Sequence, residues 1–381
     1  MLNVESYVAG RWVAPDGTAQ AIHSAVTGEV VAYAGSNQLD SIAMLYAARD
    51  RAGPALREMT FHDRAKRLKS LATLLNDNKE MLTELSFHTG ATKSDSAIDI
   101  DGGIGTLFVF ASKARRELPD DHILMDGDSE QLSRNGTFIG QHIYTPKQGV
   151  ALQINAFNFP VWGMLEKLGP ALLAGVPSII KPATVTSYLT AACFKLMVES
   201  NLFPEGSMQL IAGRPGDLFE HLDSRDQISF TGSAATALTL RADKNLLNNS
   251  VTFNAEQDSL NSTVLGADVV AGSVEFDLFV KEVFKEMTAK AGQKCTAIRR
   301  IMVPEHLHND VVDAVSARLS GVTVGDPQRE DTDMGPLVSS AQRQDVIESA
   351  ALIGSESQRV FGNDPLKVHG ADIEKLSLIH I

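Results

Sequence analysis

The sequence predicts an α/β fold centred on a parallel, doubly wound sheet, on the strength of three observations. From residue 149 onward, apolar runs alternate with segments of helical period. The runs are short, as buried strands are, and each is followed by a helical stretch rather than a hairpin turn. Polar and chemically capable residues cluster just after the runs, where ligands of such sheets sit, beyond the C-terminal strand ends.

Taken in order, residues 1–35 alternate around tight turns, as in Tyr7-Val8-Ala9-Gly10-Arg11-Trp12-Val13 and Thr27-Gly28-Glu29-Val30-Val31. Short strands are expected there. Between about 39 and 118 the apolar period becomes helical, with Arg64, Leu68, Leu71, Leu74 and Leu75 on one face. Residues 137–144 read as a strand, an arm toward another element. The strands of the main sheet are expected at 150–154, 178–181, 208–211, 228–230 and 251–253. Helices are expected near 161–173, 186–200, 215–222 and 234–242, followed by an amphipathic helix over 276–291. The strand-end rule then singles out 155–160, 181–184, 212–215 and 231–233.

Bulk properties narrow the function classes. The chain has 381 residues, 44% hydrophobic and 21% charged, which suits two or three globular domains. With 34 basic against 47 acidic residues, its net charge of −13 disfavours a nucleic-acid or anionic-membrane surface, though not a local pocket for a phosphate-bearing ligand. No apolar run is long enough for a membrane span, and the first residues have neither the basic start nor the apolar core of a signal peptide. Cys193 and Cys295 do not make a disulfide framework. A cytoplasmic location is expected. The histidines show no metal spacing, and His306 and His308 read as surface.

Gly292-Gln293-Lys294-Cys295 is the segment best suited to nucleophilic chemistry. A thiol reacts as thiolate, and Lys294 with Arg299 and Arg300 offers positive potential nearby. The competing reading is a buried, inert thiol, which is the expectation for Cys193 on its apolar helical face. Asn158 precedes Pro160, a residue suited to a first helical turn. It is therefore either a helix cap or a donor to an oxyanion. Lys181 ends a strand, where it can meet a ribose or phosphate or simply be solvated. Thr231-Gly232-Ser233 joins a strand to a helix, where a phosphate meets backbone N–H groups. Glu256, just past an apolar strand, is a solvated loop charge or a general base, with Asp258 its rival.

In order along the chain, Asn158-Phe159-Pro160, Lys181-Pro182-Ala183, Phe230-Thr231-Gly232-Ser233, Glu256, Gly292-Gln293-Lys294-Cys295, Gly325-Asp326-Pro327 and Met334-Gly335-Pro336-Leu337-Val338 resemble the aldehyde dehydrogenase superfamily. Residues 99–108, 154–160, 255–256 with 258–261, and 290–300 are most similar to its branch in the bifunctional ring-opening proteins of bacterial phenylacetate degradation. The resemblance implies a dinucleotide-binding domain over 1–253, with N-terminal helices and an oligomerisation arm near 122–146, and a catalytic domain over 254–381.

It also implies roles. Cys295 attacks the aldehyde, Asn158 and the Cys295 backbone N–H hold the oxyanion, and Glu256 activates the water that releases the acid. Lys181, Thr184, Thr231, Gly232 and Ser233 bind the cofactor, with Phe157 on the same side. A neutral Thr184, where many NAD-preferring members carry glutamate, implies NADP with NAD tolerated. The implied substrate is a small aldehyde, a CoA-thioester semialdehyde, and the implied assembly a homo-oligomer. No metal is implied. Ala237 and Gln257 depart from the family pattern. The chain also stops before the family's later Glu-x-Phe-Gly-Pro segment, and 374–381 have no recognised counterpart. The expectation is a full-length enzyme of which this chain carries a truncated catalytic domain, inactive as a fragment in one reading. No hydratase-like domain is evident. A CoA-acylating dehydrogenase and a non-catalytic member of the fold are the alternatives; Glu256 favours hydrolysis over acylation.

Overall fold

A computed structural model describes residues 2–17, 19–35, 39–362 and 368–369; the expectation for residues 374–381 lies outside them. Five parallel strands form the main sheet, in the spatial order Thr252–Gln257, Gln227–Gly232, Ala151–Ile154, Ser178–Lys181 and Met208–Leu210. Each expected strand is present. The last is longer than expected, so Glu256 lies within it rather than beyond it, and the strand crosses the expected domain boundary. Two N-terminal strands, Ser6–Val8 and Arg11–Val13, extend the other edge antiparallel. Their join is fixed by buried Gln209, which accepts from the Ala9 N–H and donates to the Met44 carbonyl, both at 2.8 Å.

One face of the sheet is covered by the helices Phe61–Asp77, Lys93–Glu117, Trp162–Leu173 and Ser187–Glu199. Leu68, Leu71, Leu75, Ile100, Leu107, Leu165 and Phe194 meet there, and Cys193 is buried among them as the sequence leads one to expect. Arg64 shares the apolar stripe and is fully buried. Its guanidinium donates to the Leu173 carbonyl at 2.7 Å and the Leu56 carbonyl at 2.9 Å. Burial lowers its pKa to about 10. The opposite face packs Met44, Leu45, Leu152, Ile179, Ile228 and Leu246. Of the helix expected at 215–222, only the short 3₁₀ turn Leu218–His221 forms.

The strand expected in the arm is Ile139–Tyr144, which pairs antiparallel with Leu124–Gln131 as a hairpin. Phe138, Ile139 and Tyr144 are each about 60% exposed on it, far more than core residues of their type. Beyond the main sheet, Asn261–Val264 pairs parallel with Ile298–Met302. The helices Val274–Thr288 and His308–Leu319 enclose a separate apolar cluster of Leu265, Phe276, Val283 and Val315. The Met334–Val338 segment docks on the turn after Phe87–Thr89. Gly335 lies so close to the Gly90 carbonyl that no side chain fits, and Gly90 itself has φ +89°.

Candidate active site

The central strand Ala151–Ile154 is flanked by the next strand in sequence, Ser178–Lys181, on one side and by Gln227–Gly232 on the other. The chain thus reverses its winding there, and loops leaving the strand ends open a crevice. A groove of about 980 Å³ occupies it, lined by Phe157, Asn158, Lys181, Thr231, Gly232, Ser233, Glu256 and Cys295. Residues spread over more than a hundred positions converge on one cavity. Thr184 lies just outside, on the 3₁₀ turn Thr184–Thr186 that follows the groove residue Ala183.

Asn158 is not the cap of the following helix. Helix Trp162–Leu173 has no side-chain cap of its own. Asp99, fully buried on the neighbouring helix, instead accepts from the Val161 N–H at 3.3 Å and the Trp162 N–H at 2.8 Å. Burial raises the Asp99 pKa, while the Lys290 charge and these two amides oppose that rise. Asp99→Ala is expected to lower the unfolding free energy by about 1–2 kcal/mol through loss of the cap, measured by urea denaturation. With the helix start satisfied elsewhere, the Asn158 amide turns to the cysteine loop and donates to the Gln293 carbonyl at 2.9 Å. Its second N–H remains for another acceptor.

The loop carrying Cys295 departs from the expected helix. The amphipathic helix ends at Thr288, and a tight turn of Ala289–Gly292 follows. Lys290 and Ala291 both take left-handed φ, at 52° and 51°, a conformation costing about 1–3 kcal/mol per non-glycine residue. Side chains from several elements hold this strained turn. The Lys290 N–H donates to Asp95 Oδ1 at 2.8 Å, and Asp95 is itself buried in a capping box with Thr92. Gln293 donates to the Lys290 carbonyl at 3.0 Å and accepts from the Val338 N–H at 3.1 Å, tying the loop to the segment containing Gly335. Arg299 donates to the Gly292 carbonyl at 2.7 Å. Asn261 donates to the Cys295 carbonyl at 2.6 Å. The sulfur is therefore presented by a rigid loop at the groove wall.

Of the three cations expected to activate the thiol, two are engaged elsewhere. Lys294 is paired with Glu286 at 2.6 Å, and Arg299 is spent on backbone carbonyls. Burial raises the Cys295 pKa first and the Glu256 charge second; the Thr296 and Cys295 backbone N–H groups oppose them, and the Glu166 charge adds a smaller rise. On balance these influences favour the thiol over the thiolate. Because a like charge disfavours thiolate, Glu256→Gln is expected to move the pH midpoint of Cys295 alkylation downward. Stopped-flow iodoacetamide labelling across pH checks the sign.

Glu256 stands on the edge strand, exposed to the groove, and accepts from the Thr231 hydroxyl at 3.4 Å. Asp258 lines the same groove but already holds a helix start. It accepts from the Ala234 N–H at 2.9 Å, at the start of helix Ala234–Arg241, which Ser233 caps through the Thr236 N–H. Ala237 is fully buried in that helix, turned from the groove that Thr236 lines, so its methyl does not narrow the cavity. Gln257 is the exposed last residue of the edge strand, opposite Gly232. Lys181 is largely buried, its pKa lowered by that burial. Among the described residues it has no carboxylate partner, and it donates only to the Pro182 carbonyl, at 3.1 Å. A buried cation facing a groove of this volume, beside a helix start, fits a dinucleotide's ribose and phosphates.

The sequence reading missed Asp95, Asp99, Gln293 and Asn261 as residues that hold the site. Only Asp95 left a local signal, since Thr92-Lys93-Ser94-Asp95 has the capping-box spacing. The other three act through contacts distant in the chain.

Residues 12–369 match the family model described as the aldehyde dehydrogenase family. The chain is 42% identical over 365 residues to the 3,4-dehydroadipyl-CoA semialdehyde dehydrogenase of Aromatoleum evansii, covering 96% of this chain and 71% of that protein. It is 25% identical to the glutarate-semialdehyde dehydrogenase of Pseudomonas aeruginosa, covering 99% of this chain and 76% of that one. Among solved structures, the betaine aldehyde dehydrogenase of Staphylococcus aureus in complex with NAD+ superposes with a TM-score of 0.85. That match covers 100% of this chain and 73% of that one, at 24% identity, and it shows the shared fold.

Proposed function

This chain belongs to the aldehyde dehydrogenase family, and we propose that it oxidises an aldehyde to a carboxylic acid with NAD(P), through a thioester on Cys295. The observation that carries this reading is the convergence of a thiol, a carboxylate and a side-chain amide, from Cys295, Glu256 and Asn158, on one groove. Glu256 takes the thiol proton, directly or through water, and the sulfur adds to the carbonyl carbon. The oxyanion accepts from the free Asn158 N–H and from the Cys295 backbone N–H. Stabilisation there is strong because both donors are fixed before reaction, Asn158 by Gln293 and the cysteine loop by Asn261.

The dinucleotide, when bound, accepts the hydride lost by the carbonyl carbon. Lys181, Gly232, Ser233, Thr231 and Phe157 would hold it. Glu256 first releases the thiol proton to solvent, then takes a proton from water, which attacks the thioester. The acid leaves and the proton passes from Glu256 to the departing sulfur, restoring the thiol. Thr184 carries no charge to repel a 2′-phosphate, which supports NADP over NAD; the ratio of kcat/KM for the two cofactors is the test. The substrate proposed is a CoA-thioester semialdehyde, the class named for the 42% identical relative. A homo-oligomer is proposed through the exposed apolar hairpin of Leu124–Gln131 and Ile139–Tyr144. Analytical ultracentrifugation of a Phe138→Ser, Ile139→Ser variant tests it, and an unchanged mass would sink it.

Asn158→Ala is expected to lower kcat by about 10²- to 10³-fold, the usual cost of one oxyanion donor, with KM little changed. Steady-state kinetics read the split. A large rise in KM at constant kcat would instead assign Asn158 to ground-state binding.

A further inference from the structure

The aldehyde reading leaves open what the far end of the substrate carries, and the cavity in front of Cys295 constrains it. This cavity, about 330 Å³, has apolar walls from Ile98, Phe159 and Trp162. Four charged residues also line it: Glu166, Lys167, Glu256 and Lys294. Both cations already have partners. Lys167 Nζ lies 3.1 Å from Glu166 and also donates to the Gly163 carbonyl at 3.2 Å. Lys294 Nζ lies 2.6 Å from Glu286. Glu256 faces only the Thr231 hydroxyl. The four lining charges cancel as two carboxylates and two ammoniums, but both ammoniums are paired. Among the described residues Glu256 is therefore the one charge on the wall without an ion-pair partner, and no unpaired cation is ready to receive an anionic substrate group.

We propose that the Glu166–Lys167 pair makes this cavity a charge filter, admitting aldehydes whose portion inside the cavity is uncharged, whatever charge lies beyond its mouth, and rejecting those that place a free carboxylate or sulfonate within it. The proposal rests on the aldehyde reading above and deepens it. Lys167 is placed to neutralise a carboxylate, and its side chain is only 14% exposed, but Glu166 on the same helical turn cancels it. An anionic end group would sit between apolar walls beside the unpaired Glu256 with no free counter-charge, and that repulsion disfavours it. An acid masked as an ester or thioester avoids that cost. The reaction that supplies the substrate must then leave its carboxyl group esterified or thioesterified. Specificity here comes from what the wall repels as much as from what it holds.

Two alkylating reagents of nearly equal size and opposite character test this without cofactor or turnover. Iodoacetamide is neutral and iodoacetate anionic; both react with the same thiolate, so their rate ratio cancels thiol ionisation. Cys193 is fully buried, leaving Cys295 as the accessible target. For the intact protein the amide-to-acetate rate ratio at Cys295 is expected to exceed that of free cysteine by about tenfold or more. Glu166→Gln unmasks Lys167 and is expected to bring the ratio to the free-cysteine value or below it. Lys167→Met is expected to raise it further, and this opposite movement separates electrostatics from loss of fold. A ratio equal to that of free cysteine, or one indifferent to Glu166→Gln, would overturn the proposal. Failure of the aldehyde reading looks different: no neutral aldehyde, hexanal included, would then yield NAD(P)H, whatever the alkylation ratio.

Discussion

Replacing Cys295 by alanine is expected to abolish aldehyde-dependent NAD(P)H formation, by about 10⁴-fold or more in kcat/KM, because it removes the nucleophile itself. No second thiol can take over. Cys193 is buried in the main core at 0% exposure, and burial pushes its pKa far above the ordinary thiol range. The substitution should leave the fold intact, since the cysteine loop is held by groups other than the sulfur. Asn261 binds the Cys295 carbonyl, Asp95 the Lys290 amide, and Gln293 both Lys290 and Val338. Thermal unfolding should therefore be almost unchanged while turnover disappears. A Cys295→Ala protein retaining a tenth of the parent rate would remove the thiol mechanism.

Replacing Glu256 by glutamine should give a different signature. Steady turnover is expected to fall by about 10² to 10⁴, the range for loss of a general base. A first-turnover burst of NAD(P)H should survive when the reaction is started at high pH, where the thiol ionises unaided. The acyl group then stays on Cys295, and intact-protein mass spectrometry should find it there. Neither neighbouring carboxylate is free to substitute: Asp258 is held on the Ala234 N–H and Glu166 is paired with Lys167. Full steady turnover would count against the assignment. Recovery of turnover on adding free CoA, with acyl-CoA as product, would move the enzyme to the acylating class.

The two variants also separate the two demands on the site. The thiol's raised pKa, caused first by burial and then by Glu256, means that the residue serving as base also disfavours the thiolate. Removing Glu256 eases ionisation of the nucleophile while it removes the means of hydrolysis. The pH profile of alkylation and the rate of deacylation should therefore respond in opposite senses to one substitution.

The positions of the main strands and most helices were legible because a buried βα unit writes its own local signature: short apolar runs, then a helical period. The groove residues were legible because the strand-end rule needs only strand ends. Glu256 was located at the right level but on the wrong side of a strand end, since an exposed edge strand has no strong apolar pattern to mark its last residues. Asn158 shows the limit more sharply. Its local context fits a helix cap as well as an oxyanion donor, and the cap reading falls to Asp99, whose carboxylate fills that role from another helix.

The cysteine loop marks the other limit. Helical period ran on to Ala291, yet the helix stops at Thr288 because Asp95, Gln293 and Arg299 stabilise a left-handed turn that local propensity disfavours. Lys294 and Arg299 beside Cys295 looked like activators and proved to be occupied by Glu286 and backbone carbonyls. By itself the amino-acid order determined the doubly wound sheet and which side chains stand at its strand ends, since both follow from short-range hydrophobic patterning. Tertiary structure alone decided the thiol's electrostatic setting, the freedom of the Asn158 amide and the masking of Lys167 within the cavity. Charge, burial and hydrogen bonding depend on distances in space, and those distances are set by neighbours far away along the chain.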